Sequence, residues 1–327
     1  MSAQSLTLVE AINDALHSAM AEDDSVMVYG EDVAEQGGVF RATEGLLDAF
    51  GEDRVMDSPL SEIGIVGTAV GLAMQGKRPV VEIQFSGFLP PAFNQLVQMG
   101  GRARWRNRGK HSAPLVVRTP YGGGVRALEH HSESLEAAYA HIPGIKLVVP
   151  ATPADAKGML LSAIDDPDPV IFFEPKRVYR TYREDVPEDA TKIPLGKASV
   201  REPGEDVTLI AWGSMLHYAL EAAEHLEDDG IDAEVLDLRS IFPLDREAIA
   251  DSVRKTGRAV IVHEGPRSGG FAGEVLATIN EEALMYLEAP IERVTGFDTP
   301  MPMLGLEDYY LPNPPRIEEA VKSVVEF

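Results

Sequence analysis

An acidic residue opens one of the most apolar segments of the sequence. Glu62 stands at the start of a predicted helix that runs to Met74, and Gly64, Gly67 and Gly71 give this helix a smooth face. Burial would favour the protonated carboxyl group, whereas a helix N-terminus favours the charged form, so the balance stays open. Such a carboxyl group is a candidate for proton transfer. The alternative is a helix-start charge with no chemical role.

Two adjacent histidines form a second candidate site. His130 and His131 follow Glu129 and precede residues 132–134, where a loop is predicted to pass into a helix. Adjacent side chains point in different directions and no third ligand is near in sequence, so a metal site is disfavoured. A histidine in a cleft could act as a general acid or base near neutral pH. A hydrogen-bonded structural role is the alternative.

A basic run and two glycine-rich stretches remain. Trp105 is surrounded by basic side chains: Arg102, Arg104, Arg106, Arg108 and Lys110. We expect this run to form a subunit contact or a solvated end, because the charge of the whole chain argues against nucleic acid. The glycine-rich stretches, 121–124 and 268–273, lack the Lys-Ser/Thr of a P-loop. No Gly-Asp-Gly followed by an asparagine pair is present, although that pattern holds magnesium and diphosphate in thiamine enzymes.

The elements that position these residues are predicted from periodicity. Short apolar runs alternate with helical spacing along the chain, which is typical of parallel strands joined by helices. Thr7 and Glu10 predict a capping box at the start of the first helix. The periodicity fades in a segment rich in proline and charge. We therefore predict two consecutive three-layer α/β domains, at 1–185 and 205–327, with a linker at 186–204.

Composition excludes several classes of protein. The 327 residues include 53 Asp and Glu against 29 Lys and Arg, a net charge of −24 that would repel nucleic acid and anionic membranes. The chain has no cysteine and no membrane-length apolar run, so disulfides, thiolate chemistry and a membrane protein are excluded, and we expect a cytoplasmic location. The dispersed acids suggest a halophilic protein, with an ordinary acidic cytosolic protein as the alternative.

Several collinear motifs resemble the beta subunit of pyruvate and branched-chain 2-oxo acid dehydrogenases. The resemblance covers essentially the whole chain and rests on the motifs at 29–34, 37–40, 57–64, 82–85, 131–134, 143–146, 237–240 and 243–245. It implies a pyrimidine-binding thiamine-enzyme domain followed by a transketolase C-terminal-like domain. The latter would support contacts between subunits and dock an acyltransferase core.

The resemblance also implies roles for individual residues. Glu62 matches the carboxyl group that hydrogen-bonds the aminopyrimidine of thiamine diphosphate and so promotes loss of a proton from its thiazolium ring. Phe88 matches an aromatic residue that packs on the pyrimidine, with Glu31 and Gln84 nearby. His131 matches the histidine that serves proton transfer and reductive acylation of a lipoyl group.

The family's cofactor is shared between two chains. The resemblance implies that an alpha subunit holds the diphosphate and magnesium, which agrees with the missing Gly-Asp-Gly pattern. It implies a heterotetramer of two alpha and two beta chains, with a lipoyl-bearing acyltransferase core as further partner. The substrate stays open between pyruvate and branched-chain 2-oxo acids. An acetoin dehydrogenase beta subunit, a self-sufficient transketolase-like enzyme and a non-catalytic assembly or nucleotide-binding subunit are the alternatives.

Relatives also resemble one another in a structural monovalent-cation site, for which potassium is the expected ion. This site maps to the carbonyl groups of Leu115, Ala163 and Ile164 and to Asp166 and Asp168. Asp168 stands where some relatives have asparagine, so the site would carry additional negative charge here.

Overall fold

The chain divides into two compact units in a computed structural model that describes residues 3–189 and 191–327. The first unit comprises Met1–Tyr121 and Ala138–Leu195, and the second comprises Gly122–Ala137 and Gly196–Phe327. Within the described residues, every helix is too short or too polar to span a lipid bilayer.

The first unit is built on parallel strands. Its elements are β1 (Ala3–Leu6), α1 (Leu8–Glu22), β2 (Val26–Gly30), α2 (Leu46–Phe50), β3 (Val55–Asp57), α3 (Glu62–Met74), β4 (Arg78–Glu82), α4 (Ala103–Arg106), β5 (Val116–Tyr121), β6 (Lys146–Val148), α6 (Pro153–Asp165), β7 (Val170–Pro175) and β8 (Glu184–Pro187). Its sheet has the strand order β6-β7-β5-β4-β2-β3, and every pair in it whose register is described is parallel. A separate antiparallel pair joins β1 and β8. The short helix α5 (Glu136–Ala140) contains the point at which the chain returns from the second unit to the first.

The second unit repeats the alternation of strands and helices. Its elements are β9 (Ser199–Glu202), β10 (Val207–Ala211), α7 (Ser214–Asp228), β11 (Ala233–Asp237), β12 (Ser240–Phe242), α8 (Arg246–Thr256), β13 (Ala259–Pro266), α9 (Ala272–Ala283), β14 (Glu292–Gly296), α10 (Glu307–Tyr310) and α11 (Pro314–Val325). Its sheet has the order β14-β13-β10-β11-β9, in which only the edge strand β9 runs antiparallel to its neighbour. Helices on both sides cover a sheet of this kind, which explains why its inner strands β10, β11 and β13 are buried along almost their whole length.

The first helix shows how local sequence determines these elements. Thr7 accepts a hydrogen bond from the backbone N–H of Glu10, and the Glu10 carboxylate accepts one from the backbone N–H of Thr7. The predicted capping box is therefore confirmed. Leu8, Ile12 and Leu16 lie on one face of α1 and are fully buried where it packs on α6. Burial of this face supplies most of the stability of such a helix.

The predicted fold class is confirmed, and part of the predicted linker forms a β-strand. The chain passes from the first to the second unit between Leu195 and Gly196, inside the predicted linker 186–204. Residues Ser199–Glu202 of that segment form β9, with alternating half-buried and exposed positions. An edge strand needs little apolar character, because one of its sides faces water, so its charged residues concealed it in the sequence.

A buried ion cluster ties together three strands of the first unit. The guanidinium group of Arg118, on β5, donates to Glu174 on β7 at 2.7 and 3.0 Å and to Glu82 on β4 at 3.0 Å. All three side chains are at most 3% exposed, and the Tyr179 hydroxyl also donates to Glu174. Burial raises the pKa of Glu82, an effect that nearby Glu174 reinforces and Arg118 opposes. Arg118 therefore supplies the only positive charge among these four side chains.

The substitution Arg118→Met should strongly destabilise the first unit, because it leaves two carboxyl groups buried without their cation. We expect the free energy of unfolding to fall by about 3–5 kcal/mol, as is usual when one partner of a buried pair is removed. Urea denaturation followed by circular dichroism measures this change. Arg126→Met, which removes an exposed ion pair with Asp308, is the control and should have a much smaller effect. Equal losses in the two variants would contradict this account.

Candidate functional site

Three parallel strands end together at one edge of the first unit's sheet. The register pairs Gly30 of β2 with Asp57 of β3 and with Glu82 of β4. The backbone N–H of Ser58 donates to the carbonyl of Gly30 at 2.8 Å, which holds the strand ends level. The segments that follow these strands therefore leave the sheet at the same edge. They carry the predicted residues Glu31, Glu62 and Gln84, and carboxyl ends of parallel strands are where α/β proteins commonly bind ligands.

Glu62 is the first residue of α3, as the sequence predicted, and its side chain is half-buried. The start of α3 is anchored to β2, because the hydroxyl of buried Tyr29 donates to the carbonyl of Ile65 at 2.8 Å. Ser61 precedes the helix without making a side-chain cap. The first turn thus leaves backbone N–H groups without a side-chain cap beside the carboxylate.

Glu31 lies in a tight loop close to Glu62. Burial raises the pKa of its carboxyl group, and the charges of Asp32 and Glu62 raise it further. Asp32 has a positive φ of 58°. The carboxylate of Asp57 secures the loop by accepting hydrogen bonds from the backbone of Ala34 at 2.7 Å and Glu35 at 3.2 Å. The electrostatic influence of Glu62 on Glu31 indicates that the two predicted residues are neighbours.

Aromatic side chains flank the segment that follows β4. Gln84 and Phe88 are both half-buried, and Phe88 ends a short 3-10 helix, Ser86–Phe88. The ring of Phe85 packs edge-on against Phe88, with centroids 5.7 Å apart, and also against Phe40 at 5.7 Å. This is an apolar wall with a polar amide beside it. Flat heteroaromatic ligands commonly pack on such rings.

The residues of this edge fit an aminopyrimidine. Carboxyl groups at Glu31 and Glu62, an amide at Gln84 and the ring of Phe88 offer both polar and stacking partners for a planar ring that carries nitrogen atoms. The buried Oγ atom of Ser58 has no hydrogen-bond partner in the described structure. A buried hydroxyl group in that condition is usually satisfied by a ligand or water. No three His, Cys, Asp or Glu residues within 3–189 and 191–327 are grouped so as to hold a metal ion.

His131 belongs to the second unit, through the segment Gly122–Ala137. It ends a short 3-10 helix, Glu129–His131, and its half-buried ring lies 4.3 Å from that of His130, centroid to centroid. His130 contacts Glu129 at 3.3 Å between Nδ1 and Oε1. The sequence placed this segment in the first domain, because it stands between strands of the first sheet along the chain.

The second unit contains a group of buried acids that sequence reasoning missed. Glu136 accepts a hydrogen bond from Trp212 Nε1 at 3.2 Å, and Glu264 accepts one from the backbone of Gly123 at 2.9 Å. Glu307 accepts from the backbone of Gly124. Burial raises the pKa of Glu136 to about 7, and the charge of Glu264 contributes. These acids are far apart in sequence, so no local spacing could have revealed them.

A buried histidine completes this group. His263 is 1% exposed and stacks on Trp212, with ring centroids 5.1 Å apart and an interplanar angle of 13°. Neither ring nitrogen has a described hydrogen-bond partner, and burial lowers the pKa of His263 to about 4. The imidazole is therefore neutral at physiological pH. His263 follows a run of buried strand residues, and nothing in that local pattern indicates a functional histidine.

Each residue predicted for the cation site already accepts a hydrogen bond from a donor of this chain through its predicted ligand oxygen. The carbonyls of Leu115, Ala163 and Ile164 accept from Val170 N at 3.0 Å, Asp166 N at 3.3 Å and Arg78 Nη1 at 2.7 Å, respectively. The carboxylate of Asp166 binds Lys146, and that of Asp168 binds Arg104 at 2.7 Å. Three basic side chains thus contact this region, and a bound potassium ion stays a sequence-based prediction.

Comparisons with known proteins define the class of the chain. The family model described as "Transketolase, pyrimidine binding domain" matches residues 4–181, and the one described as "Transketolase, C-terminal domain" matches residues 196–317. A solved structure titled "Split gene transketolase, inactive beta4 tetramer" shares the fold, with a TM-score of 0.81, 24% identity and 99% of each chain covered. The fold and domain matches are those of transketolase-like thiamine enzymes.

Closer relatives narrow this class. The "Pyruvate dehydrogenase E1 component subunit beta" of Acholeplasma laidlawii is 48% identical over 321 residues, with 98% of each chain covered. Its namesake in Bacillus subtilis (strain 168) is 49% identical over 322 residues, covering 98% of this chain and 99% of the relative. The "2-oxoisovalerate dehydrogenase subunit beta" of the same organism is 48% identical over 324 residues, with the same coverage. The chain belongs to the beta subunits of 2-oxo acid dehydrogenases, which confirms the resemblance.

The raised pKa of Glu136 predicts a pH effect on stability. An unfolded glutamate releases its proton near pH 4.5, whereas folded Glu136 holds it to about pH 7. Its contribution to stability is therefore present below about pH 4.5 and is lost as the pH rises to about 7. In Glu136→Gln this loss is absent. The free energy of unfolding of the variant should therefore rise relative to that of the parent protein between about pH 4.5 and 7, and the difference should stay constant above that range. Urea denaturation at a series of pH values tests this, with exposed Glu274→Gln as control; a pH-independent difference for Glu136→Gln would contradict it.

Proposed function

We propose that this chain is the beta subunit of the thiamine-diphosphate-dependent component that decarboxylates pyruvate or a branched-chain 2-oxo acid. The observation that carries the proposal is the shared register of β2, β3 and β4, which brings the segments with Glu31, Glu62 and Gln84 to the same edge of the sheet. Family membership supports the same conclusion independently.

Each residue at this edge has a distinct proposed task. Glu62 would hydrogen-bond a ring nitrogen of the aminopyrimidine. This bond would change which nitrogen of the aminopyrimidine carries the proton. Phe88 would pack on the ring, and Glu31 and Gln84 would limit its orientation through polar contacts. When bound, thiamine diphosphate supplies an electron sink for the carbon–carbon bond cleavage. The aromatic wall of Phe85 and Phe88 would exclude water from this edge, which strengthens the hydrogen bond that Glu62 makes.

The remaining parts of the assembly are proposed from the family. An alpha subunit would hold magnesium and the diphosphate, in a heterotetramer of two alpha and two beta chains. His131 would assist proton transfer and the acylation of lipoamide on the acyltransferase core. We propose a cytoplasmic location for this assembly. The predicted potassium ion would be structural and would take no part in the proposed steps.

The acidic surface supports a further proposal, that the protein works at high salt. The chain carries a net charge of −24. Self-repulsion of this size would weaken the folded state when screening ions are removed. We expect circular dichroism to show partial unfolding on dilution from molar to millimolar salt. An unchanged spectrum would favour an ordinary acidic protein.

Two other functions predict different results in a single experiment. An acetoin dehydrogenase beta subunit would share the site residues and differ in substrate. An assembly subunit would leave catalysis to other chains. We therefore propose co-expression with a candidate alpha subunit and measurement of dye-linked turnover of pyruvate, branched-chain 2-oxo acids and acetoin with thiamine diphosphate and magnesium. Turnover should require both chains; activity of this chain alone would overturn the proposed division of labour.

The decisive substitution is Glu62→Gln, which retains size and hydrogen bonding but cannot carry a negative charge. We expect decarboxylation by the assembled enzyme to fall by about 10²–10⁴-fold, the range typical for loss of a proton-transfer group. Size-exclusion chromatography should show the same assembly as for the parent protein. Glu52→Gln, at an exposed turn, is the control and should retain full activity. Wild-type turnover by Glu62→Gln would eliminate the proposed mechanism and favour an assembly role.

A further inference from the structure

A basic surface of the first unit is not used by the proposed chemistry. We define the arginine patch as Arg102, Arg104, Trp105, Arg106, Arg108 and Lys110. The patch follows a π-helix, Gln95–Gly101, and includes the short helix α4. At Arg108 the backbone turns with a positive φ of 53°. This left-handed backbone conformation is incompatible with continuing α4 beyond Arg106.

The patch exposes the largest side chain of the protein to water. Trp105 is 86% exposed, whereas Trp212, the only other tryptophan, is 1% exposed. Beside Trp105 lies an open groove of about 1220 Å³, which Pro143 and Gly144 line together with the arginines. An exposed indole ring beside a groove and guanidinium groups has the composition of an interface hot spot.

Only part of the positive charge in the patch is paired with an acidic residue. Arg104 pairs with Asp168 at 2.7 Å, and Arg102 and Arg106 donate to the side chain of Gln98 at 2.7 and 3.1 Å. Within residues 3–189 and 191–327, Arg108 and Lys110 make no ion pair. The gathering of five basic residues is unusual in a chain whose acids outnumber its bases 53 to 29. The patch is therefore a positively charged region on a protein whose net charge is negative.

We propose that the arginine patch docks an acidic surface of the alpha subunit that offers a seat for the Trp105 indole. This inference rests on the proposed function, which requires an alpha chain, and it specifies where that chain is held. Carboxylates of the partner would pair with Arg108 and Lys110. The partner's apolar atoms would fill the groove around Trp105, because the centre of an interface is drier and more apolar than its rim.

The charge of the patch argues against a second copy of this chain as the occupant. A symmetric dimer places the same patch of each copy at the two-fold axis, so arginine would face arginine. A head-to-tail contact with the acidic remainder of another copy would have to close into a ring or extend into a filament. Nucleic acid could contact the patch locally, but the net charge of −24 would repel it from the rest of the protein. A different, acidic polypeptide is the occupant that both constraints favour.

The two tryptophans allow a direct test. Trp105 should dominate acrylamide quenching of the isolated chain, because Trp212 is buried. We would record quenching and emission of this chain with and without the alpha subunit, and repeat both measurements with Trp105→Phe. The difference between the two series isolates Trp105 and cancels the tryptophans of the partner. We expect a blue shift and a several-fold fall in quenching on assembly; a Trp105 signal that stays fully quenchable in the complex would overturn the proposal.

Charge reversal provides the second measurement. Arg108→Glu should weaken association with the alpha subunit about tenfold, and the effect should diminish as salt increases, because it is electrostatic. Trp105→Ala should weaken association at every salt concentration, and Trp105→Phe should restore most of it. Lys77→Glu makes the same change of charge at an exposed position directly before β4 in the first unit and is the matched control. Equal effects of Arg108→Glu and Lys77→Glu would overturn the specific role of the patch.

These outcomes separate the patch from the proposed function. If the assembled enzyme decarboxylates 2-oxo acids while Trp105 stays exposed, the docking proposal fails and the function stands. If Trp105 becomes protected but no 2-oxo acid is turned over, the docking surface stands and the proposed function fails. Protection of Trp105 by an oligonucleotide, but not by the alpha subunit, would also refute the docking proposal.

Discussion

The candidate site depends on the parallel register of β2, β3 and β4. Because Gly30, Asp57 and Glu82 stand level across these strands, the segments that follow them begin at the same height. Those segments carry Glu31, Glu62 and Gln84, which are otherwise dispersed over more than fifty residues of sequence. A slip of one residue would send alternate side chains to opposite faces of the sheet. The buried Arg118 cluster, which joins β4 to β5 and β7, holds this register from within.

Sequence predicted the parts of the structure that depend on local pattern. The capping box at Thr7 and Glu10, the α/β alternation and the start of α3 at Glu62 all follow from spacing within a few residues. The resemblance supplied the family, since collinear motifs identify it more specifically than any single residue does. Glu31 and Glu62 could be associated only through the family, because their proximity arises from strand pairing that periodicity does not encode.

Interactions distant in sequence account for what could not be predicted. Glu136, Glu264 and His263 come together in the second unit through strand order and through the return of the chain into that unit. Strand β9 was hidden in a predicted linker, because an edge strand tolerates charged residues that normally indicate a loop. Placing a carboxyl group and an imidazole in such surroundings costs stability, since burial favours the neutral form of each.

The path of the chain has a consequence for how this architecture can be divided. Residues Gly122–Ala137 belong to the second unit, although the chain on both sides of them belongs to the first. Through Glu136, Gly123 and Gly124 this excursion bonds to Trp212, Glu264 and Glu307, all of which come much later in the sequence. A gene split at the boundary between the two matched domains would separate the excursion from its anchors. Two half-chains produced in this way would have to associate before the hydrogen bonds of the excursion could form.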